Sequence, residues 1–452
     1  MKFILKQSEE ELTTYSGMAL VGALVAKTNL YKKLNKTKIE GILAPDFSHG
    51  DIAVSYIGLL CQGKNDFDSI EEFRQDSFYR KALRIYRTPS SPTLRQRLDA
   101  GAIHPDWKSI VGQESISLLK VAQAPLTPIY ITRTHEDGKQ SKFPYIPIDC
   151  DVSPFDNSKT KKEGVSRTYK NFDGYAPMFA YIGLEGYALH VELRNGSDHC
   201  QNGTPEFLQE ALGYAKQLTD SPTLVRLDSG NDSGDNLDLF LKEATNTDFI
   251  IKRNLRREKS EQWFNLSKTE GVCEEPRSGK KVYTGSMTCI HNGIRQSIRV
   301  VYRVTERTIS KTGQLLLIPD IEVETYWTSL PDSPDTIIEL YHQHGTSEQF
   351  HSEIKSDMGL ERFPSGKFAT NDLILRLAMM AYNILRIIGQ QLAAQETSPL
   401  KSKAFRRRIK TVIQNIITFA ARLVYHGRRY FLSFGKDNLW YWPFRAIYES
   451  LV

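Results

Sequence analysis

The segment TLVRLDSG, residues 223–230, decides the fold class. Its apolar and β-branched run predicts a buried strand, and the Asp-Ser-Gly that follows predicts a turn. A helix predicted over 236–244 comes next, and then a strand predicted over 249–252. Strands and helices that alternate in this rhythm indicate an α/β protein.

The periodicity of apolar residues divides the rest of the chain. An amphipathic helix is predicted over 66–82. Strands are predicted upstream at 128–132, 145–151, 175–182 and 187–193, with a helix over 205–218. Three longer alternating strands are predicted at 281–290, 294–305 and 314–325. We therefore expect the following domain boundaries: a helical N-terminal domain, 1–127; an α/β part, 128–256; an inserted all-β subdomain, 257–330; a return to the α/β part, 331–395; a basic helical C-terminal region, 396–452.

Composition places few limits on function. The chain has 452 residues, 40% of them hydrophobic and 25% charged, which is typical of globular domains with large cores. Its five cysteines contain no C-x-x-C pair, so we expect reduced thiols in a cytoplasmic protein rather than disulfides or a zinc site. The N-terminus is acidic at Glu9–Glu11, and the apolar run 18–26 is too short for a membrane span. We therefore expect neither secretion nor membrane anchoring.

The net charge of +6 is unevenly distributed. Residues 401–430 contain nine Lys or Arg and no Asp or Glu. A polyanionic partner explains such a stretch, and a solvated helix face explains it equally well.

Four residues near the C-terminal third share one helical register. Tyr341, His344, Glu348 and Lys355 are offset by 0, 3, 7 and 14 positions, which predicts one face of a single helix. A tyrosine, a histidine, a glutamate and a lysine are too polar to form the face of a helix that packs on a hydrophobic core. They suit a surface that binds a metal ion and a phosphate backbone.

Carboxylates at the ends of strands form the candidate site. Asp149 or Asp151 ends an early strand, Asp228 ends a later one, and Glu348 lies on the helix described above. Strand ends meet at one edge of an α/β sheet, and carboxylates gathered there repel one another unless cations lie between them. Oxygen ligands suit Mg²⁺ or Mn²⁺, and a pair of such ions can catalyse phosphodiester cleavage. Turn or surface roles for each residue are the alternative.

Other ligands are less favoured. Glu353 and Asp357 compete with Glu348, but Glu353 points away from the Tyr341 face at helical spacing. The three histidines at 342, 344 and 351 match no strong transition-metal motif.

Together these residues resemble the DDE transposases of bacterial insertion sequences, in the branch with a Tyr-x2-Arg-x3-Glu-x6-Lys signature. Tyr341, Glu348 and Lys355 match at the correct spacing, and His344 stands where the family has Arg. Segments similar to other family motifs are 149–153, 225–230, 327–330 and 368–385.

The resemblance implies an RNase H-like catalytic core, interrupted by the β-insertion, and an N-terminal domain for DNA binding or dimerisation. It implies Mg²⁺-dependent cleavage at transposon ends and transfer of the freed 3′-OH into target DNA. Carried over to this chain, the metal ligands are Asp151, Asp228 and Glu348. Asp151 is preferred to Asp149 because Ser153 follows it at the family spacing.

The resemblance also implies where DNA binds. Tyr341 and Lys355 would contact phosphates, whereas the role at position 344 is weakened because His lacks the two-pronged geometry of Arg. Trp263 and Trp327 are candidates for stacking on a flipped base, with burial in the β-insertion as the more common alternative. The remaining candidates lie on a basic helix predicted over 402–425, and they are Arg406, Arg407, Arg408 and Lys410.

The implied partners are double-stranded DNA and a second copy of the chain, because a dimer brings two transposon ends together. The implied location is the cytoplasm of a bacterium or archaeon. Two other functions fit the same residues. One is a DNA-binding protein derived from a transposase that has lost catalysis. The other is a structure-selective nuclease that cuts DNA without joining it.

Overall fold

The computed structural model describes residues 2–7, 9–42, 46–135, 137–242, 245–256, 258–291, 294–310, 312–400 and 402–452. Helices dominate the N-terminal part, where Ser48 and Ser90 side chains accept hydrogen bonds from backbone amides at the starts of the helices His49–Leu60 and Ser91–Ile103. The elements in order are β1 (Glu11–Thr13), α1 (Met18–Ala26), α2 (Leu30–Lys36), α3 (His49–Leu60), α4 (Ser77–Leu83), α5 (Ser91–Ile103) and α6 (Pro105–Val121).

A central sheet and its helices occupy the middle of the chain. The elements are β2 (Ile129–Thr134), β3 (Gln140–Val152), β4 (Phe155–Asp156), β5 (Ser166–Arg167), β6 (Asp173–Tyr175), β7 (Met178–Ile182), β8 (Tyr187–Glu192), α7 (Thr204–Leu218), β9 (Thr223–Leu227), α8 (Gly234–Lys242), β10 (Thr247–Lys252), α9 (Ser260–Glu270), β11 (Val272–Arg277), β12 (Lys280–Ile290), β13 (Ser297–Ile309) and β14 (Leu315–Thr328). The predicted helix over 205–218 and the predicted strands are confirmed, except that 175–182 contains the end of β6 and the separate strand β7. Glu243 and Ala244, the last two residues of the helix predicted over 236–244, lie outside the described residues.

Ten of the described strands form one sheet in the order β11-β12-β13-β14-β10-β9-β3-β7-β8, with β2 paired to the first half of β3. Strands β3, β9 and β10 run parallel, and their neighbours are antiparallel. The strands of residues 272–328 continue this sheet through the pairing of β14 with β10, so they share its hydrogen-bond ladder. A smaller sheet has the order β4-β6-β5.

The last part of the chain returns to helices and ends in a hairpin. Its elements are α10 (Pro334–His342), α11 (Ser347–Ser352), α12 (Phe368–Ala393), α13 (Ile409–Val412), β15 (Ala421–His426), β16 (Arg429–Phe434) and α14 (Tyr441–Leu451). Helix α12 is almost wholly buried, and Asn383 ties it to β8 through two hydrogen bonds of 2.8 Å with the backbone of Ala188. None of the helices in the described ranges is long and apolar enough to cross a membrane.

Two helix predictions outside the candidate site are wrong. The helix predicted over 66–82 is divided into a 3-10 segment, Phe67–Phe73, and α4, because Asp76 caps a new helix by accepting a hydrogen bond from the Tyr79 amide. The helix predicted over 402–425 shrinks to α13 and one π-helical turn, Ile413–Ile417.

The strand β15 takes the place of the second half of that predicted helix. Its alternating sequence ARLVYH favours an extended chain, and β15 pairs with both β1 and β16. The C-terminal region is therefore a mixture of helices and strands rather than helical. The apolar face predicted for this segment is nevertheless buried, and it comprises Ile409, Val412, Ile413, Ile416 and Ile417.

Candidate active site

Parallel strands bring Asp151 and Asp228 together. In the register of β3 and β9, Cys150 lies opposite Leu227, and the two aspartates are the next residue on each strand. Adjacent strands lie about 4.8 Å apart, so the two carboxyl groups leave the same edge of the sheet as neighbours. Asp228 accepts a hydrogen bond of 2.6 Å from Asn231 in the turn that follows, and Asp151 accepts one of 2.7 Å from the Val152 amide.

The two carboxyl groups differ electrostatically. Burial, followed by the negative charge of Asp151, raises the pKa of Asp228. Burial acts in the same direction on Asp151, but His351, His344 and the Val152 amide outweigh it and lower the pKa of Asp151. One carboxylate therefore destabilises the ionised form of the other, which is the arrangement that a bound cation relieves.

Glu348 approaches this pair from α11, where it is exposed to solvent. Burial raises the pKa of the Tyr169 hydroxyl, and the charges of Asp151, Asp228 and Glu348 raise it further. All three carboxylates thus act on a single hydroxyl. Within the described ranges, however, no three His, Cys, Asp or Glu side chains converge closely enough to form a ready-made metal site.

The segment that carries Glu348 is not the single regular helix that we predicted. Helix α10 ends at His342, a 3-10 segment spans Gln343–Thr346, and a π-helical segment, Glu353–Asp357, follows α11. Gly345 lies in the first interruption, where its lack of a side chain lowers helix stability. The prediction of one continuous helical face is therefore wrong, although these residues still lie near the acidic edge.

Asp149 is engaged inside the protein. Its Oδ1 lies 2.6 Å from Arg226 Nε and 2.9 Å from His344 Nδ1, and its Oδ2 accepts a hydrogen bond of 2.8 Å from Arg226 Nη2. Although burial opposes ionisation, these partners lower the pKa of Asp149. Asp149 was a candidate for the first catalytic aspartate, and the structure gives its oxygens internal partners instead.

His344 lies in the interior and not on the DNA-facing surface that we expected. Its side chain is only 8% exposed because Asp149 draws the ring inward. Tyr341 packs beside it, with ring centroids 5.7 Å apart, and also contacts Tyr326. Burial, followed by the charges of Asp228 and Asp151, raises the pKa of Tyr341.

Lys355 extends from the π-helical segment toward the carboxylates. Its Nζ lies 5.2 Å from the centroid of the Phe155 ring, and the side chain is half-buried. Burial lowers the pKa of Lys355, while the nearby charges of Glu361 and Asp151 oppose that change.

Trp263 and Trp327 flank a half-buried arginine, Arg253. The guanidinium of Arg253 lies 5.4 Å from the Trp263 ring and 4.6 Å from the Trp327 ring. Both indole N–H groups have internal acceptors, Glu258 for Trp263 and Asp232 for Trp327. The two rings line a cleft of about 940 Å³, but they are only 7% and 2% exposed, as the alternative of structural burial predicted.

The four basic candidates near residue 408 have different surroundings. Arg407 is buried and donates to the Ser402 carbonyl, and Arg408 forms a two-pronged ion pair with Asp357 at 2.8 and 3.0 Å. The guanidinium of Arg406 stacks over Phe350 at 4.5 Å and lines a cleft shared with Glu348. Only Lys410 of these four lies on a regular helix, and its side chain is exposed.

Comparison with known proteins assigns the family. A family model described as transposase DDE domain group 1 matches residues 4–452, almost the whole chain. The chain belongs to this family of DDE transposases. A similar solved structure is that of the piggyBac transposase in a synaptic complex with hairpin DNA, with 12% sequence identity over 91% of this chain and 82% of that chain and a TM-score of 0.42. A search of curated proteins gave no match.

Three residues near the acidic edge of this DDE transposase escaped the sequence analysis. Arg226 could have been found, because it is a charged residue in the middle of an apolar strand. His351 was considered only as a transition-metal ligand, but its Nδ1 lies 3.2 Å from the Tyr181 hydroxyl and its Nε2 lies 3.4 Å from Asp151 Oδ2. Tyr169 lies in a loop with no local signal.

Proposed function

We propose that this DDE transposase cleaves DNA at the ends of a mobile element and joins the freed 3′ ends to target DNA. The observation that carries the proposal is the adjacency of Asp151 and Asp228 at the ends of parallel strands, with Glu348 on helix α11, which contacts β3. The proposal includes an RNase H-like catalytic core for 128–256 and 331–395, interrupted by the 257–330 insertion.

Asp151, Asp228 and Glu348 are the residues that would hold Mg²⁺ or Mn²⁺ in this proposal. Their donor set fits, because carboxylate oxygens are the ligands these ions prefer and the pKa of Asp228 is raised by burial and by its acidic neighbour. Two bound divalent ions would activate an attacking oxygen and stabilise the leaving one. His351 orients Asp151, and Asn231 orients Asp228, through the contacts described above.

Phosphate contacts come from basic side chains beside the acidic edge. We propose Lys355, Arg406 and Lys410 for this role, with Tyr341 as a further contact close to the carboxylates. His344 and Arg407 are not included because they are buried, and Arg408 is not included because Asp357 neutralises it. Trp263 and Trp327 are not included because both rings are buried and both N–H groups are bonded internally.

Transposition requires cleavage at both ends of the mobile element, and this requirement favours a dimeric assembly. We propose that a dimer holds the two ends together and that the helical domain 1–127 contributes to DNA binding or dimerisation. A bacterial or archaeal insertion sequence is the proposed source, with the nucleoid as the place of action.

The test uses purified protein, Mg²⁺ or Mn²⁺, and a duplex that carries the terminal repeats flanking the gene. Nicks at the repeat ends and joined products in a target plasmid are the expected results. Asp151→Asn and Asp228→Asn should abolish both, whereas Asp235→Asn, an exposed residue of α8, should not. Specific binding without cleavage would indicate an inactive relative, and cleavage without joined product would indicate a nuclease.

A further inference from the structure

A hairpin tip reaches the acidic edge from the smaller sheet. Strands β5 and β6 are joined by the turn Thr168–Phe172, in which Thr168 bonds Phe172 through backbone and side chain at 2.9 and 2.8 Å. The Asn171 amide donates to the Thr168 carbonyl at 3.0 Å, and Asn171 has a φ of 65°, a left-handed conformation that Asn tolerates. The tip is therefore a defined turn that holds Tyr169 and Lys170 at its outer positions.

Tyr169 extends from this tip across the site. Its hydroxyl donates to the carbonyl of Val152 at 3.3 Å, one residue beyond Asp151, while 63% of the side chain is exposed. That hydrogen bond is long, and a carbonyl is a weaker acceptor than a charged oxygen. The hydroxyl is thus available to a better acceptor that enters the site.

Lys170 adds a second positive charge beside Lys355. Lys170 is exposed, with its Nζ 5.4 Å from the Tyr169 ring, and Lys355 rests on Phe155 of the same small sheet. Among the described residues, neither lysine forms an ion pair with a carboxylate. Burial lowers the pKa of Lys355, and the positive charge of Lys170 lowers it further. Two neighbouring ammonium groups that form no direct ion pair favour an anion between them.

We propose that Tyr169 and Lys170 bind a phosphodiester group of the DNA strand that enters the acidic edge, together with Lys355. The Tyr169 hydroxyl donates to a phosphate oxygen in place of the Val152 carbonyl, and Lys170 supplies positive charge in addition to that of Lys355. This inference rests on the proposed function, since it takes DNA as the substrate of the site. It adds a contact from the hairpin tip that the signature around Glu348 does not contain.

The test measures DNA affinity in Ca²⁺ as a function of salt, with a generic duplex that has a single-stranded end, so that cleavage is not required. Lys170→Ala should reduce the slope of log K against log salt by about 0.9, the value for one phosphate contact. Tyr169→Phe should weaken binding roughly tenfold, as the loss of one hydrogen bond to a charged oxygen does, and should leave the slope unchanged. Lys216→Ala, on the exposed side of α7, and Tyr130→Phe, with 59% exposure on β2, are the matched controls.

A second arm locates the phosphate. Single phosphates of the duplex are replaced by uncharged methylphosphonates, and the position that weakens the unmodified protein should have a clearly smaller effect in Lys170→Ala, in which Tyr169 and Lys355 still contact it. Unchanged affinity and salt slope in both variants, with thermal melting like that of the unmodified protein, would overturn the inference. Because neither arm depends on catalysis, a failure to cleave would count against the proposed function alone.

Discussion

The guanidinium of Arg226 and the carboxylate of Asp149 form a buried two-pronged ion pair, with Nε–Oδ1 and Nη2–Oδ2 distances of 2.6 and 2.8 Å. The remaining Nη1 donates to the Leu340 carbonyl at 2.7 Å, at the end of α10. One side chain thus ties β9 to β3 and to the helix that leads to Glu348.

Arg226→Ala should destabilise the protein by about 3–5 kcal/mol, because it leaves the buried Asp149 charge without its main partner. Urea unfolding at pH 7 measures this free energy. Lys242→Ala removes the exposed partner of Asp238 and should cost less than about 1 kcal/mol. Equal losses in the two variants would show that the Arg226 pair does not stabilise the fold.

Asp228, one of the proposed metal ligands, should be unfavourable to folding when no metal is present. Since burial and Asp151 raise the pKa of Asp228, its ionised form at neutral pH opposes folding, and Asp228→Asn should raise the melting temperature in EDTA. Adding Mg²⁺ should stabilise the unmodified protein and leave Asp228→Asn unchanged. Asp235→Asn should behave like the unmodified protein, and a Mg²⁺ shift retained by Asp228→Asn would contradict the assignment.

His344 and Lys355 should have separable roles, although both belong to the same sequence signature. His344→Ala should keep DNA affinity in Ca²⁺ within about twofold while lowering stability by roughly 1–2 kcal/mol, because Asp149 loses a hydrogen bond. Lys355→Ala should weaken DNA binding and reduce its salt dependence. A loss of affinity in His344→Ala as large as that in Lys355→Ala would mean that the ring turns outward to DNA.

Acid should destabilise the N-terminal helices through His49. Burial, with Arg97 nearby, lowers the pKa of His49 to about 4, and its Nδ1 lies 2.7 Å from Arg97 Nη2. In the unfolded chain the His49 ring takes up its second proton near pH 6.5, whereas in the folded protein it does so only near pH 4. The contribution of neutral His49 to the free energy of unfolding is therefore complete above pH 6.5 and is lost as the pH falls toward 4. His49→Gln should flatten the fall in unfolding free energy over this window, by up to roughly 3 kcal/mol. His135→Gln, at an exposed position, should leave the profile unchanged.

The parts of the fold that depend on local pattern could be predicted from sequence. Alternating strands and the strand ends at Asp151 and Asp228 follow from periodicity and turn chemistry, and parallel pairing then makes the two aspartates neighbours. The apolar periodicity did not predict the places where a single residue interrupts a helix. Asp76 caps a new helix inside the segment 66–82, and Gly345 lies in the 3-10 turn that follows α10.

Tertiary partners limited the prediction of side-chain roles. Whether Asp149 or His344 faces solvent depends on Arg226, which lies 77 residues from Asp149 along the chain, and no local pattern reports such a pair. The basic stretch at 401–430 was visible as composition, but Asp357 neutralises Arg408 and burial removes Arg407 from the surface. Tyr169 reaches the site only because the smaller sheet directs its hairpin there.

The most direct measurement of the central claim is Mn²⁺ binding, followed by electron paramagnetic resonance in the presence of element-end DNA. The unmodified protein and Asp235→Asn should bind Mn²⁺ alike, and Asp151→Asn, Asp228→Asn and Glu348→Gln should each bind it far more weakly. Undiminished Mn²⁺ binding in a protein that carries all three substitutions would contradict the account.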